Sequence, residues 1–434
     1  MRTWAAAAFI LSLHLGLCTT RGARAEDGPA APMAPRPAES EIVSHLEALV
    51  ASEEGAAAEY KALGKAEEAA KASRRARTAR EQLDDMKCGL RGPLPDRRSP
   101  VEVVLEQRHP RYLTNGGPDP VERLLEFLGP LQEADGRWDG GDDDADVEVT
   151  SLALIALLGQ GETHRSREFG PRVRAAFAFL VEAQDADGLV GSRKGNRVPF
   201  RQAAASLALV RACRFSASPV FLKPAWSAVS ACLGLRIPGK GWGRGPGATA
   251  EDPAATGWMA LVLEDARRAR LAECLDARVA ALRCFERFTE AATGAVRTPA
   301  EADATVPASS QGALEAIVTW GRALGGVSVK DPLQAKALER CLAREPGPDP
   351  FETLFLTLVK RGAGFPSESW KTWNESAMPA ILTRLAVQKG SDGEWRVTKD
   401  GPVAVAGRGR LAAFTDLLTL EHFWRYRRAL GTDE

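Results

Sequence analysis

The sequence predicts an all-α protein, a ring of about six helical hairpins (an α/α toroid) preceded by a helical arm. Three observations lead there. Broadly apolar helices, each with a small or hydroxyl residue near its start, recur about every 50 residues. Amphipathic helices alternate with them. No segment carries a convincing strand alternation.

The chain has 434 residues, 44% of them hydrophobic, enough for a large core. Its 57 basic and 57 acidic residues balance. That removes the simplest case for a nucleic-acid partner, which needs a basic face to displace counterions. At the N-terminus, Arg2, the apolar run "WAAAAFILSLHLGL" (4–17) and Ala23-Arg24-Ala25 read as an export signal over 1–25, too short for a membrane anchor. The expected product is an exported, periplasmic or extracellular chain with no transmembrane segment. Residues 26–41, with four prolines, read as a flexible linker. From 42 to 90 Ala, Glu, Lys and Arg dominate, giving a helical arm expected to turn near "ASEEGA" (51–56) and to pack weakly or against a partner. Residues 91–118, containing "GPLPDRRSP", connect it to the body at 119–430.

Within the body, inner helices are expected at "VEVTSLALIALL" (147–158), "QAAASLALVRAC" (202–213), "PAATGWMALVLEDA" (253–266), "SSQGALEAIVTWGRAL" (309–324), "PFETLFLTLVKRG" (350–362) and "LAAFTDLLTLEHFWRY" (411–426). Surfaces that apolar imply burial on several sides. Amphipathic partners fall at 120–132, 171–184, 223–235, 275–291, 333–344 and 369–388. Six cysteines follow the signal, none in a CxxC pair, and most sit in apolar helices as buried thiols.

The turns between outer and inner helices repeat. "QEADGRW" (132–138), "QDADGLVG" (184–191) and "QKGSDGEW" (388–395) share Gln, then Asp-Gly, then usually Trp, and "PGKGWGRG" (238–245) is a shortened version. Gln caps backbone groups, Gly permits the turn and Trp packs over the next helix. Gln132, Gly136, Trp138, Gln184, Gly188, Trp242, Gln388, Gly393 and Trp395 are the structural motif residues. The pattern resembles the Gln–Trp repeat of squalene–hopene cyclases and the related prenyltransferase and squalene-oxidase repeat proteins, over roughly 119–430. The stretch 367–395 resembles the final repeat of exported bacterial members with no assigned reaction.

The resemblance implies a place for a proton donor. Cyclases of that kind use Asp-x-Asp-Asp followed by Thr. Here the match is Asp146-Val147-Glu148-Val149-Thr150, with Glu148 in the donor position and Val149 replacing the last acid. Protonating an alkene needs a donor made unusually acidic by its neighbours, and a Glu beside Val lacks that help. Helix N-termini favour acids in any case, so Asp142, Asp143 and Asp144 read as its polar entrance. An EF-hand-like cation loop does not fit "DGGDDDAD" (139–146). His45, His109, His164 and His422 are not set beside Cys and Asp as a prenyltransferase zinc site requires, so neither metal nor cofactor is expected. Trp258, Trp320, Phe351, Phe355 and Phe414 are candidate lining for a central apolar cavity, with Phe423 and Trp424 beside them. Glu148 and Glu352 are a candidate carboxylate pair for a sugar-cleaving toroid. The expected function is a non-catalytic binding or scaffold module for an apolar, isoprenoid-like ligand or a protein partner. The alternatives are a class II terpene cyclase using Glu148, with Asp146, and a carbohydrate-active toroid.

Overall fold

A computed structural model describes residues 38–89, 120–216, 218–272, 274–299, 310–363, 368–392, 395–398 and 408–424. The expected signal (1–25), the connector (91–118), most of the linker and Gly393 lie outside the described residues.

The arm is a helical hairpin. Helix α1 (Glu39–Ala62) begins inside the segment read as linker, and α2 (Ala66–Cys88) returns antiparallel to it. The turn expected at 51–56 lies within α1 instead. One glycine, Gly55, costs a helix only about 1 kcal/mol, so the chain continues to Gly64, whose φ of +71° reverses it. Leu46, Val50 and Ala79 form a small core between the helices. Ion pairs Glu53–Arg75 (2.7 Å), Glu47–Lys87 (2.8 Å) and Glu54–Arg80 flank it.

Six outer–inner helix pairs follow: α3 (Pro120–Leu128) with α4 (Asp143–Gly159), α5 (Gly170–Glu182) with α6 (Val198–Ser216), and α7 (Leu222–Gly234) with α8 (Pro253–Arg268). Then come α9 (Leu275–Phe288) with α10 (Gln311–Leu324), α11 (Pro332–Ala343) with α12 (Pro350–Gly362), and α13 (Glu368–Arg384) with α14 (Arg408–Trp424). Even-numbered helices form the inner layer. α4 buries every residue from Ala145 to Gly159, and α6 every residue from Val198 to Cys213. Their sequences are apolar nearly all round, and only burial on all sides suits such a surface.

Each inner helix packs on the next: α4 on α6, α6 on α8, α8 on α10, α10 on α12 and α12 on α14. α14 returns to α4, so the inner contacts form a closed cycle. Outer helices sit over the seams. α7 touches α6 and α8, α9 touches α8 and α10, α11 touches α10 and α12, and α13 touches α12 and α14. α3 reaches α14, and Arg410 Nη1 at the start of α14 donates to the Asp139 carbonyl (2.9 Å), tying the last hairpin to the first.

Two short strands depart from the all-helical expectation. Val387–Lys389 (β1) and Trp395–Val397 (β2) form an antiparallel ladder after α13. Ala386 at φ +53° ends the helix, and alternating side chains then fit a pleat.

Candidate functional site

The motif turns converge at the N-terminal ends of the inner helices. Gln132 Nε2 donates to the Gly136 carbonyl (2.9 Å) and to that of Arg172 on the next outer helix (3.0 Å). Gln184 does the same to Gly188 and Pro224, both at 3.1 Å. The indole Nε1 of Trp138 donates to the Leu128 carbonyl (2.8 Å), and that of Trp242 to the Cys232 carbonyl (2.7 Å). A polar side chain of the following inner helix accepts the turn amide: Thr150 from Trp138 (2.9 Å), Gln202 from Val190 (2.8 Å), Thr256 from Trp242 (3.1 Å). Gly136 (φ +100°) and Gly188 (φ +89°) lie so close to the next outer helix that a Cβ would sit 2.1 Å from the carbonyl oxygens of Ala175 and Ser227. These residues lock neighbouring hairpins together.

The last turn is built differently. Gln132 pairs with Trp138 in an isolated bridge, whereas Trp395 pairs with Lys389, one residue past Gln388. A slip of one residue puts a side chain on the opposite face, and Gln388 is exposed. Lys389 Nζ lies 5.7 Å from the centre of the Trp395 ring.

All but one of the acids at the start of α4 have a partner among the described residues. Asp142 caps α4 by accepting from the Ala145 amide (2.8 Å). Asp143 is exposed. Asp144 pairs with Arg201 (2.9 Å) and accepts from the Ser192 amide (3.1 Å), both in the next hairpin. Asp146 accepts from the Gly140 amide (2.6 Å), and Arg137 lies 3.4 Å away. Burial pushes the Asp146 carboxyl up, against the pull of that amide and Arg137. Glu148 is 1% exposed and accepts from both Nε and Nη2 of Arg197, with Nε–Oε1 at 3.0 Å. Burial raises its carboxyl too, while Arg197 and then Arg201 oppose the rise. Sequence reading missed Arg197 and Arg201, because they sit one hairpin away from the acids they neutralise.

The aromatic candidates divide. Trp258, Phe351, Phe355 and Trp320 meet edge to face, with Trp258–Phe351 at 6.0 Å, Trp258–Phe355 at 5.3 Å and Trp320–Phe355 at 6.3 Å between ring centres. Phe200, which the sequence reading omitted, joins Trp258 (5.0 Å) and Phe351 (5.7 Å). Its place in the first turn of α6, beside Pro199 and Arg201, hid it. Phe200 on α6 and Phe351 on α12 belong to opposite members of the inner cycle, so their contact crosses it. Phe414 packs instead on Trp138 (6.1 Å). The Trp258 indole Nε1 is buried with no hydrogen-bond partner. For Phe423 and Trp424 the backbone alone is described.

Glu352 is bound by Arg344 (3.0 Å) beside Ser310 (3.4 Å), so each carboxylate of the sugar-cleaving pair has its own cationic partner. Among the described residues no group of three or more His, Cys, Asp and Glu side chains is placed to hold a metal. Burial pushes the thiols of Cys213, Cys232 and Cys284 up to about 12 and that of Cys341 to about 11, which suppresses the nucleophilic thiolate. No described helix is long and apolar enough to cross a membrane.

The arm is clasped to the body at the opposite ends of the inner helices. Asp85 of α2, 2% exposed, accepts from His164 Nε2 (3.0 Å), Arg165 Nη2 (2.6 Å) and Ser218 Oγ (2.5 Å). Ser218 touches the acid and not the imidazole, so this is no nucleophile–base pair. The arm therefore packs on its own body, with Arg165 Nη2 also donating to the Glu81 carbonyl (2.6 Å) and an exposed ion pair of Glu39 with Lys223 (3.3 Å). A groove of about 660 Å³ lies elsewhere, between the third and fourth hairpins, lined by Arg244, residues 247–252, Arg287, Phe288 and residues 297–299. Compared with protein-family models, curated proteins and solved structures, the chain matches none.

Proposed function

We propose that this chain is an exported, non-catalytic binding or scaffold module, built as an α/α toroid of the squalene-cyclase and prenyltransferase repeat type. The cycle of inner helices under a layer of outer helices and the repeated Gln–Gly–Trp turns support that architecture. One observation supports the absence of catalysis: Phe200 and Phe351 meet across the inner cycle, 5.7 Å apart. A cyclase needs that volume for its polyene, and here aromatic rings fill it. Glu148 adds to the reading, since a carboxylate gripped by a guanidinium is a poor acid for an alkene. Ligands or partners are then taken at a rim or on the arm.

The test is to incubate the full chain with squalene-class polyenes, beside a Glu148→Gln variant, and analyse the products by mass spectrometry. Both forms should return the polyene unchanged, and native spectra should show no retained isoprenoid. A cyclised product formed by the wild type and lost in the variant would overturn the proposal in favour of a terpene cyclase. Sequencing the N-terminus of the cell-derived protein tests export, which predicts a start just after Ala25.

A further inference from the structure

The 660 Å³ groove is built from parts that the repeat does not need. In the first hairpin the motif Trp138 is followed by residues 139–142 before α4 begins. In the third, Trp242 is followed by the longer stretch 243–252 before α8. That stretch, "GRGPGATAED", forms one wall. The C-terminal end of α9 and the strand-like residues after it form the other, with half-buried Phe288 and Pro299 as apolar surface.

Three arginines face this space, and their fixed contacts leave donors over. Arg244 spends Nε on Asp252 (2.7 Å). Arg287 spends Nε (2.7 Å) and Nη2 (2.5 Å) on Glu251. Arg297 donates Nη2 to the Arg287 carbonyl. The two carboxylates are themselves consumed: Glu251 also accepts from the Gly241 amide, and Asp252 caps α8 through the Ala255 amide (2.9 Å). Their side chains are 7% and 3% exposed, so they hold the arginines in place without facing a ligand. What remains are Nη1 and Nη2 of Arg244, Nη1 of Arg287, and Nε and Nη1 of Arg297, none bonded to another described residue. Along the facing wall, the Thr249 and Ala250 amides donate to no described residue either.

We propose that this groove binds an extended acidic peptide segment of a partner protein. The proposal rests on the binding-module reading above and names the chemistry of its ligand. Pre-oriented guanidinium groups match carboxylates. They come from three separate places in the chain, the long turn, the end of α9 and the segment after it, which suits successive acidic side chains better than a single small anion. Free amides on that wall suit a peptide backbone, and Phe288 and Pro299 suit an apolar residue between the acids. The volume falls within the range of ligand sites. A polynucleotide is a poorer match, because three arginines and two carboxylates leave the groove only weakly positive and the chain as a whole is neutral.

The experiment is fluorescence anisotropy on the full chain with a fluorescein-labelled pentapeptide of alternating glutamate and valine, and with its lysine-for-glutamate counterpart. The glutamate peptide should bind at least about tenfold more tightly than the lysine peptide, and more weakly as salt rises. Arg297→Glu, at an exposed position, should lose about tenfold or more in affinity at unchanged thermal stability. Arg193→Glu, on another hairpin, should not change binding. Equal binding of both peptides, or full affinity in Arg297→Glu, overturns the proposal. So does complete displacement by inorganic phosphate at the peptide's own concentration, which makes the groove a simple anion site. Failure of all peptide binding with polyenes still unconverted removes this ligand and leaves the non-catalytic reading in place, whereas polyene conversion removes that reading whatever the groove binds.

Discussion

Whether Glu148 belongs to the architecture or to a reaction is decided by how its energy couples to Arg197. The carboxylate is 1% exposed and the guanidinium 18%. Removing one member of a fully buried pair costs about 3–5 kcal/mol, because the other charge is left without compensation. Partial exposure of Arg197 lowers this to about 2–3 kcal/mol for Glu148→Leu. An unfolding entropy of about 2 cal/mol/K per residue over the body converts it to a melting shift of roughly 3–5 °C. The double variant Glu148→Leu with Arg197→Met buries two apolar chains of similar size and should recover most of the loss. Thermal unfolding of the four proteins gives the coupling directly. The pH dependence has a definite sign. Burial raises the Glu148 carboxyl, so the folded state holds its proton more readily than the unfolded state, and this group's contribution to stability falls as pH rises above 4.5. Glu148→Leu should remove that slope. If Glu148→Leu alone stabilises the protein, the carboxylate is kept against its own environment, as functional groups are, and the structural account of it fails.

Gly188→Ala should cost about 2–4 kcal/mol, from a left-handed backbone and a Cβ lying 2.1 Å from the Ser227 carbonyl oxygen; a denaturant midpoint that does not move at constant slope would contradict it. Phe200→Ala should cost about 3–5 kcal/mol and open a cavity that takes up benzene, read as a rise in the melting temperature with ligand. The arm clasp should respond to acid. Burial alone would raise the Asp85 carboxyl, but His164, Ser218 and Arg165 hold it below its ordinary 3.8. Its contribution is complete above that value and is lost as pH falls through the lowered one. Hydrogen exchange should then show α2 losing protection before α6, and simultaneous loss would mean that the arm and body unfold as one unit.

The helices were legible because their apolar faces are either broad or one-sided, and that difference alone sorts inner from outer layers. The Gln–Gly–Trp turns were legible because Gln, Asp-Gly and usually Trp recur in the same order between outer and inner helices. What stayed hidden depends on partners distant in sequence. Nothing near Glu148 announces Arg197 or Arg201, nothing in "GPGATAED" announces Arg287 or Arg297, and Asp85 meets His164 and Arg165 only after the chain has passed through the whole first hairpin. The fate of Gln388 lay in a detail of the spacing: Gln132 stands six residues before Trp138, but Gln388 stands seven before Trp395, and the extra residue sets Lys389 opposite Trp395.

The cycle of inner-helix contacts explains why aromatic residues are the ones that meet across it. Neighbouring helices pack about 8–10 Å apart, so six in a cycle leave a central space about as wide as a helix. Alanine and leucine cannot span it from opposite sides. Here Phe200 and Trp258 from one side meet Phe351 and Phe355 from the other, with ring centres 5.0–6.0 Å apart in the contacts that join Phe200, Trp258, Phe351 and Phe355. The same residue types that line a cavity when held apart fill it when allowed to touch. With these rings meeting across the inner cycle, what is left to vary without disturbing the core is the turns at its ends. The long stretch 243–252 is such a turn, and it carries one wall of the groove. Shortening it to the length of the first hairpin's turn should abolish peptide binding and leave the melting temperature nearly unchanged. A large loss of stability would place residues 243–252 in the core's support, and would weaken the case that this rim is where the protein works.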